Sequence, residues 1–135
     1  MKVILDTNVL VSGIFFSGVP YDILNAWRDG MMELIVSPEI LEEYRRVGEE
    51  MENKFLGVEV SPFLELLAIE ATMVTAKPLT EAVCTDPDDD KFLACALASK
   101  AKVICSGDKA LLKTTGYRGI EVLTPRIFAD RFLGK

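Results

Sequence analysis

The residues in this sequence with the greatest capacity for chemistry are its carboxylates, and they fall in separated groups. Asp6 closes an apolar run, Glu42 and Glu43 follow a Ser37-Pro38 pair, Asp86, Asp88, Asp89 and Asp90 crowd one short stretch, and Asp108 follows Ser106-Gly107. The chain contains no histidine. That excludes Ser-His-Asp and Cys-His nucleophilic catalysis, histidine-ligated zinc and imidazole acid/base chemistry within the chain. Several carboxylates sharing one rim repel each other, and protonating them at neutral pH leaves weak bases. A divalent cation resolves that conflict. All-oxygen donors suit Mg²⁺ or Mn²⁺, whose natural chemistry is phosphoryl transfer or phosphodiester hydrolysis.

The elements that must position these acids are legible in outline. Apolar runs at 2–6, 33–36, 72–75, 102–106 and 120–123 read as strands. They alternate with helical patterns at 21–28, 38–55, 62–71, 87–99 and 125–132, with a short helix at 109–112. Asp86-Pro87 and Thr124-Pro125 are helix-start signals, because proline at the first helical position forgoes only an N–H that has no partner there. Strands alternating with helices predict an α/β domain with a mainly parallel sheet of about five strands, covered on both faces. No linker, repeat or low-complexity stretch divides residues 1–135, so a single domain is expected.

In such a sheet ligands bind beyond the carboxyl ends of the strands. Asp6, Asp108, the Glu42-Glu43 pair and the Asp86–Asp90 group all follow strands and approach that rim from four connections. Helical phase separates the two glutamates: the apolar stripe runs through Ile40, Tyr44, Val47 and Met51, so Glu42 points away and Glu43 borders the stripe. Each acid also has a purely structural use. Asp86, Asp88 and Asp89 suit a helix cap and first turn, Asp6 and Asp108 suit caps of the segments after them, and Asp90 lies one residue deeper than capping needs. Capping does not explain Glu43, nor the convergence of four connections.

The bulk composition sets outer bounds. Of 135 residues, 50% are hydrophobic and 27% charged, with a net charge of -6, an ordinary globular balance that disfavours a nonspecific polyanion coat. No apolar run approaches the ~18 residues of a membrane span, and Asp6 interrupts the Met1-to-Leu5 start too early for a signal peptide, so a cytoplasmic protein is expected. Cys84, Cys95 and Cys105 lack paired spacing and read as small buried hydrophobes.

Taken in order, Ile4-Leu5-Asp6-Thr7-Asn8-Val9-Leu10, Ser37-Pro38-Glu39-Ile40-Leu41-Glu42-Glu43-Tyr44, Asp86-Pro87-Asp88-Asp89-Asp90-Lys91-Phe92-Leu93, Ser106-Gly107-Asp108-Lys109 and Arg118-Gly119-Ile120-Glu121-Val122-Leu123-Thr124-Pro125 resemble the PIN-domain family across nearly the whole chain. The resemblance implies a three-layer α/β/α fold and a Mg²⁺- or Mn²⁺-dependent endoribonuclease. A chain this short is similar to the toxins of VapBC-type toxin–antitoxin pairs. Carried over by motif, the catalytic and metal-binding acids are Asp6, Glu43, Asp90 and Asp108. Asp89 is an alternative or additional ligand, because the run of three aspartates lets the third acid slide by one. Thr7, Asn8 and Ser106 become accessory polar groups that orient ligands or water.

The implied partners are RNA, an antitoxin protein and a second copy of the chain in a homodimer or higher oligomer. Lys91, Lys109, Lys113, Arg45 and Arg46 are candidate phosphate contacts, with solvated surface charge as their alternative use. Phe15, Phe16, Tyr21 and Trp27 serve an interface or, by the more ordinary use of such residues, the core. Two other functions compete. One is a PIN-like module that binds RNA or a partner without catalysis. The other is a haloacid-dehalogenase-like phosphatase, which requires an acid two residues after the first aspartate, where this chain has Asn8.

Overall fold

In a computed structural model, which describes residues 1–134, strands β1 (Lys2–Leu5), β2 (Glu33–Val36), β3 (Thr72–Met73), β4 (Val103–Cys105) and β5 (Glu121–Leu123) form one sheet in the order β3-β2-β1-β4-β5. Every pairing is parallel, so the mainly parallel sheet expected is wholly so. Val3, Ile4, Leu5, Leu34, Ile35, Val36, Ile104 and Cys105 are all buried, the near-continuous apolar run of strands covered on both faces. Around the sheet lie α1 (Thr7–Phe15), α2 (Val19–Arg28), α3 (Pro38–Lys54), α4 (Ser61–Glu70), α5 (Asp90–Ser99), α6 (Lys109–Leu112) and α7 (Pro125–Phe132).

Strand order places the site. The chain builds outward from β1 to β2 and β3, then returns to lay β4 on the other side of β1. With right-handed crossovers that reversal puts helices on both faces, giving three layers. It also opens a crevice at the carboxyl ends of β1 and β4, where the connections leave in opposite directions. Register holds the two ends level: Leu5 lies opposite Cys105, and the Asp6 amide donates to the Cys105 carbonyl at 2.9 Å.

Helix starts follow the chemistry of their first residues. Ser37 Oγ accepts from the Ile40 amide at 3.3 Å and Thr124 Oγ1 from the Ile127 amide at 3.2 Å, each ahead of a proline. The helix expected at 87 begins differently. Asp86 caps a short 3₁₀ turn, Pro87–Asp89, by accepting from the Asp88 amide at 2.9 Å, and the α-helix starts only at Asp90.

α1 was not among the expected elements. Thr7, Val9, Val11 and Ile14 are β-branched and weak helix formers, yet packing overrides propensity, burying Val9, Leu10 and Val11. Gly13 allows α1 to approach α2: a Cβ there would lie 2.6 Å from Leu24 Cδ1 and 2.8 Å from the Pro20 carbonyl. β3 stops short of the expected 72–75, although the Val74 amide still donates to the Val36 carbonyl.

All three cysteines are free and buried, as expected. Of the aromatics expected mainly in the core, Trp27 is buried, Phe15 is half-buried, and Phe16 and Tyr21 are each 44% exposed. Phe15 and Phe16 pack instead around the ring of Phe55. No single helix among the described residues is long and apolar enough to cross a membrane.

Candidate metal centre

Asp6 directly follows β1 and is 6% exposed. Its backbone carbonyl accepts from the Val9 and Leu10 amides, so α1 is hung from it, but its side chain makes no capping bond. The carboxylate instead accepts from Ser106 Oγ, at the end of β4, at 2.6 Å. Burial pushes the Asp6 carboxyl up. The Ser106 hydroxyl and the Thr7 amide oppose that, while Glu43 and Asp108 add to it.

Ser106 is fully buried and faces both ways: its Oγ also accepts from the Asp108 amide at 3.0 Å. One hydroxyl thus fixes Asp6 against the loop that carries Asp108. Asp108 itself caps α6, accepting from the Ala110 amide at 3.1 Å through Oδ1. Capping uses Oδ1 alone.

The run Asp88-Asp89-Asp90 splits three ways. Asp88 pairs with Lys91 at 3.0 Å, and that ammonium holds its carboxyl below the usual range. Asp89 heads α5 without a side-chain capping bond. Its carboxyl faces the other acids, and partial burial together with the charges of Asp6, Asp108 and Asp86 pushes it up to about 7. Asp90 turns back to the preceding loop, accepting from the Cys84 amide at 2.7 Å and the Val83 amide at 3.2 Å. Burial alone would raise the Asp90 carboxyl, but these bonds outweigh it and hold it low. Of the two residues competing for the third acid, Asp89 is the one directed toward Asp6 and Asp108.

Glu43 follows its expected phase, with a side chain 13% exposed against 60% for Glu42. It accepts from Thr7 Oγ1 through one oxygen and from Lys91 Nζ, at 2.6 Å, through the other, with Arg46 at 3.8 Å. Thr7 is therefore buried between the Asp6 backbone and Glu43, whereas Asn8 is exposed and has no side-chain hydrogen bond among the described residues. Tyr44, read from the sequence only as part of the apolar stripe, is fully buried and its hydroxyl donates to the Leu5 carbonyl at 2.5 Å, tying α3 to the end of β1.

A cleft of about 700 Å³ opens beside this rim, lined by Glu43, Arg46, Lys77, Leu79, Asp88 and Lys91 among others. Of the candidate phosphate contacts, Arg46 and Lys91 line it. Arg45 is engaged by Glu42 and Glu49 on the solvent face, and Lys109 and Lys113 are exposed without ion pairs among the described residues.

Carboxylate oxygens are the donor type that suits a hard divalent ion. Asp6, Asp89 and Asp108 bring oxygens from three separate connections, and no ion pair among the described residues reaches any of them. Among those residues no three acids come together closely enough to hold a metal ion. Burial first, and neighbouring carboxylates after it, displace Asp6 and Asp89 upward.

Comparison with known proteins gives the family and the fold. A family model described as PIN domain matches residues 2–110. The chain is 32% identical to the uncharacterized protein MJ1680 of Methanocaldococcus jannaschii, over 98% of this chain and 92% of that protein. Its fold is similar, at a TM-score of 0.58, to a chain in the crystal structure of VapBC2 from Rickettsia felis bound to a DNA fragment from their promoter. That likeness covers 92% of this chain and 98% of the other at 13% identity, and so is one of fold. The family match takes in β1 through β4 and every acid of the rim; the chain belongs to the PIN domain family.

Proposed function

We propose that this protein is a metal-dependent endoribonuclease that hydrolyses RNA phosphodiester bonds in the cytoplasm as the toxin of a toxin–antitoxin pair. The observation that supports the reading is that the charges of Asp6 and Asp108 bear on the Asp89 carboxyl, while no ion pair among the described residues reaches any of the three. Family membership and the fold shared with a VapBC2 chain support nuclease chemistry and an antitoxin partner. The residues proposed to hold Mg²⁺ or Mn²⁺ are Asp6, Asp89 and Asp108. When bound, such an ion supplies an activated water and neutralises charge developing on the phosphate.

The chain's own residues orient those donors. Ser106 fixes one Asp6 oxygen and the start of the Asp108 loop together. Tyr44 holds the Leu5 carbonyl, and so the last residue of β1, against α3. Asp90 anchors the 83–84 backbone from which the acidic turn departs and is proposed as a loop anchor, not a ligand. The cleft beside Glu43 is the proposed path of an RNA strand, with Arg46 and Lys77 as its phosphate contacts. A homodimer would lengthen that path, with the exposed Phe16 and Tyr21 as candidate contacts.

The test is incubation of the purified protein with single-stranded RNA and Mg²⁺ or Mn²⁺. Internal cleavage is expected, abolished by EDTA and reduced at least about 100-fold by Asp6→Asn, since even residues that only support metal ligands contribute 10–100-fold. Cleavage that persists unchanged in Asp6→Asn contradicts the assigned site. RNA binding without cleavage by the wild type makes the protein a binding module instead.

A further inference from the structure

We propose that Lys91 is a built-in cation standing where a second metal ion would sit, so that the acidic rim takes up one divalent ion and not two. The inference rests on the metal-centre reading above and concerns the other end of the same rim.

Lys91 lies in the first turn of α5, where a lysine ordinarily extends into water and opposes the helix dipole. Its side chain is only 16% exposed. The ammonium is turned inward, 2.6 Å from Glu43 Oε1 on α3 and 3.0 Å from Asp88 Oδ2 on the preceding turn. It bridges carboxylates from two elements, as a metal ion would. Most of the side chain is covered, and two of the three ammonium donors are committed to these carboxylates.

Glu43 is correspondingly saturated. Its Oε2 accepts from Thr7, its Oε1 from Lys91, and the Arg46 guanidinium lies 3.8 Å away. The Glu43 and Asp88 charges are therefore already met by Lys91 and Arg46. A divalent ion arriving there would displace an ammonium from two hydrogen bonds, and Asp88, with a side chain 62% exposed, offers it little shelter. No comparable cation reaches Asp6, Asp89 or Asp108 among the described residues. A phosphate contact is the competing role for Lys91, but a phosphate approaching this ammonium must displace or tolerate two carboxylates already bound to it.

The experiment is Mn²⁺ titration of the full chain by calorimetry, with electron paramagnetic resonance to detect paired ions, on the wild type, Lys91→Met and Lys91→Arg. Circular dichroism and thermal melting confirm that each variant is folded, and Asp88→Asn, which leaves the Lys91–Glu43 pair intact, serves as a second probe. One Mn²⁺ per chain is expected for the wild type, Lys91→Arg and Asp88→Asn. Two are expected for Lys91→Met, with the spin coupling of ions about 4 Å apart. Two ions in the wild type overturn the proposal. So does a single ion in a folded Lys91→Met variant. Absence of Mn²⁺ binding in all four proteins overturns the metal-centre reading itself, and the proposal with it.

Discussion

The two ends of the acidic rim are balanced in opposite ways. Beyond β1 and β4, the Asp6 carboxylate accepts from a serine hydroxyl and the Asp108 carboxylate from a backbone amide, and the charges of both bear on Asp89. At the α3 end, Glu43 and Asp88 grip the Lys91 ammonium, with Arg46 close by. Being an acid at the rim is therefore not enough to define a ligand. What distinguishes the ends is whether the protein already supplies the counter-charge. The consecutive residues Asp88, Asp89 and Asp90 make the point within one turn: one is ion-paired, one faces the crevice, and one is spent on backbone amides.

The contrast is broken most directly at its uncompensated end. Asp108→Asn should weaken Mn²⁺ binding, measured by calorimetry, at least about 100-fold, because it removes a donor and not merely its support. An equal loss in Asp88→Asn would erase the distinction between the ends. Ser106→Ala comes next, with an expected 10–100-fold loss of Mn²⁺ affinity, since its hydroxyl orients Asp6 and receives the Asp108 amide. Thr7→Val, which cuts the corresponding hydroxyl bond to Glu43, should leave Mn²⁺ affinity unchanged.

Asp90→Ala sharpens the comparison from outside the site. It strips the acceptor from two amides, one of them in the buried residue Cys84, and should destabilise the protein by about 1–3 kcal/mol in urea melts without altering Mn²⁺ affinity.

A further difference is expected in pH dependence. The Asp89 carboxyl is pushed from its ordinary 3.8 up to about 7 in the folded protein, so across that interval the native state binds more protons than the unfolded chain. Stability of the metal-free protein from this group is then greatest below about pH 4 and falls as pH rises toward 7. Urea melts of the protein and of Asp89→Asn should differ in slope across that window. Identical slopes would contradict that upward displacement.

Much of this was legible in the sequence because it depends on period and on strand ends. Glu43 and Glu42 separate by helical phase alone, and Asp6 and Asp108 close apolar runs that could hardly be anything but buried strands. The different surroundings of Asp89 and Asp90 are not legible there. The turn before α5 is a 3₁₀ segment, whose three residues per turn rotate side chains differently from an α-helix, and three consecutive acids offer no pattern to fix the phase. α1 is hidden in the sequence because its β-branched residues argue against a helix that tertiary packing nonetheless enforces. The inward turn of Lys91 depends on Glu43, 48 residues earlier, a contact without local signature.

That the chemistry belongs to the uncompensated end of the rim is tested most directly by comparing RNA cleavage by Asp89→Asn and Asp90→Asn in Mn²⁺, with both variants checked for folding. Cleavage should fall at least about 100-fold in Asp89→Asn and persist near the wild-type rate in folded Asp90→Asn. The reverse pattern, with Asp90→Asn inactive and Asp89→Asn active, would contradict that assignment.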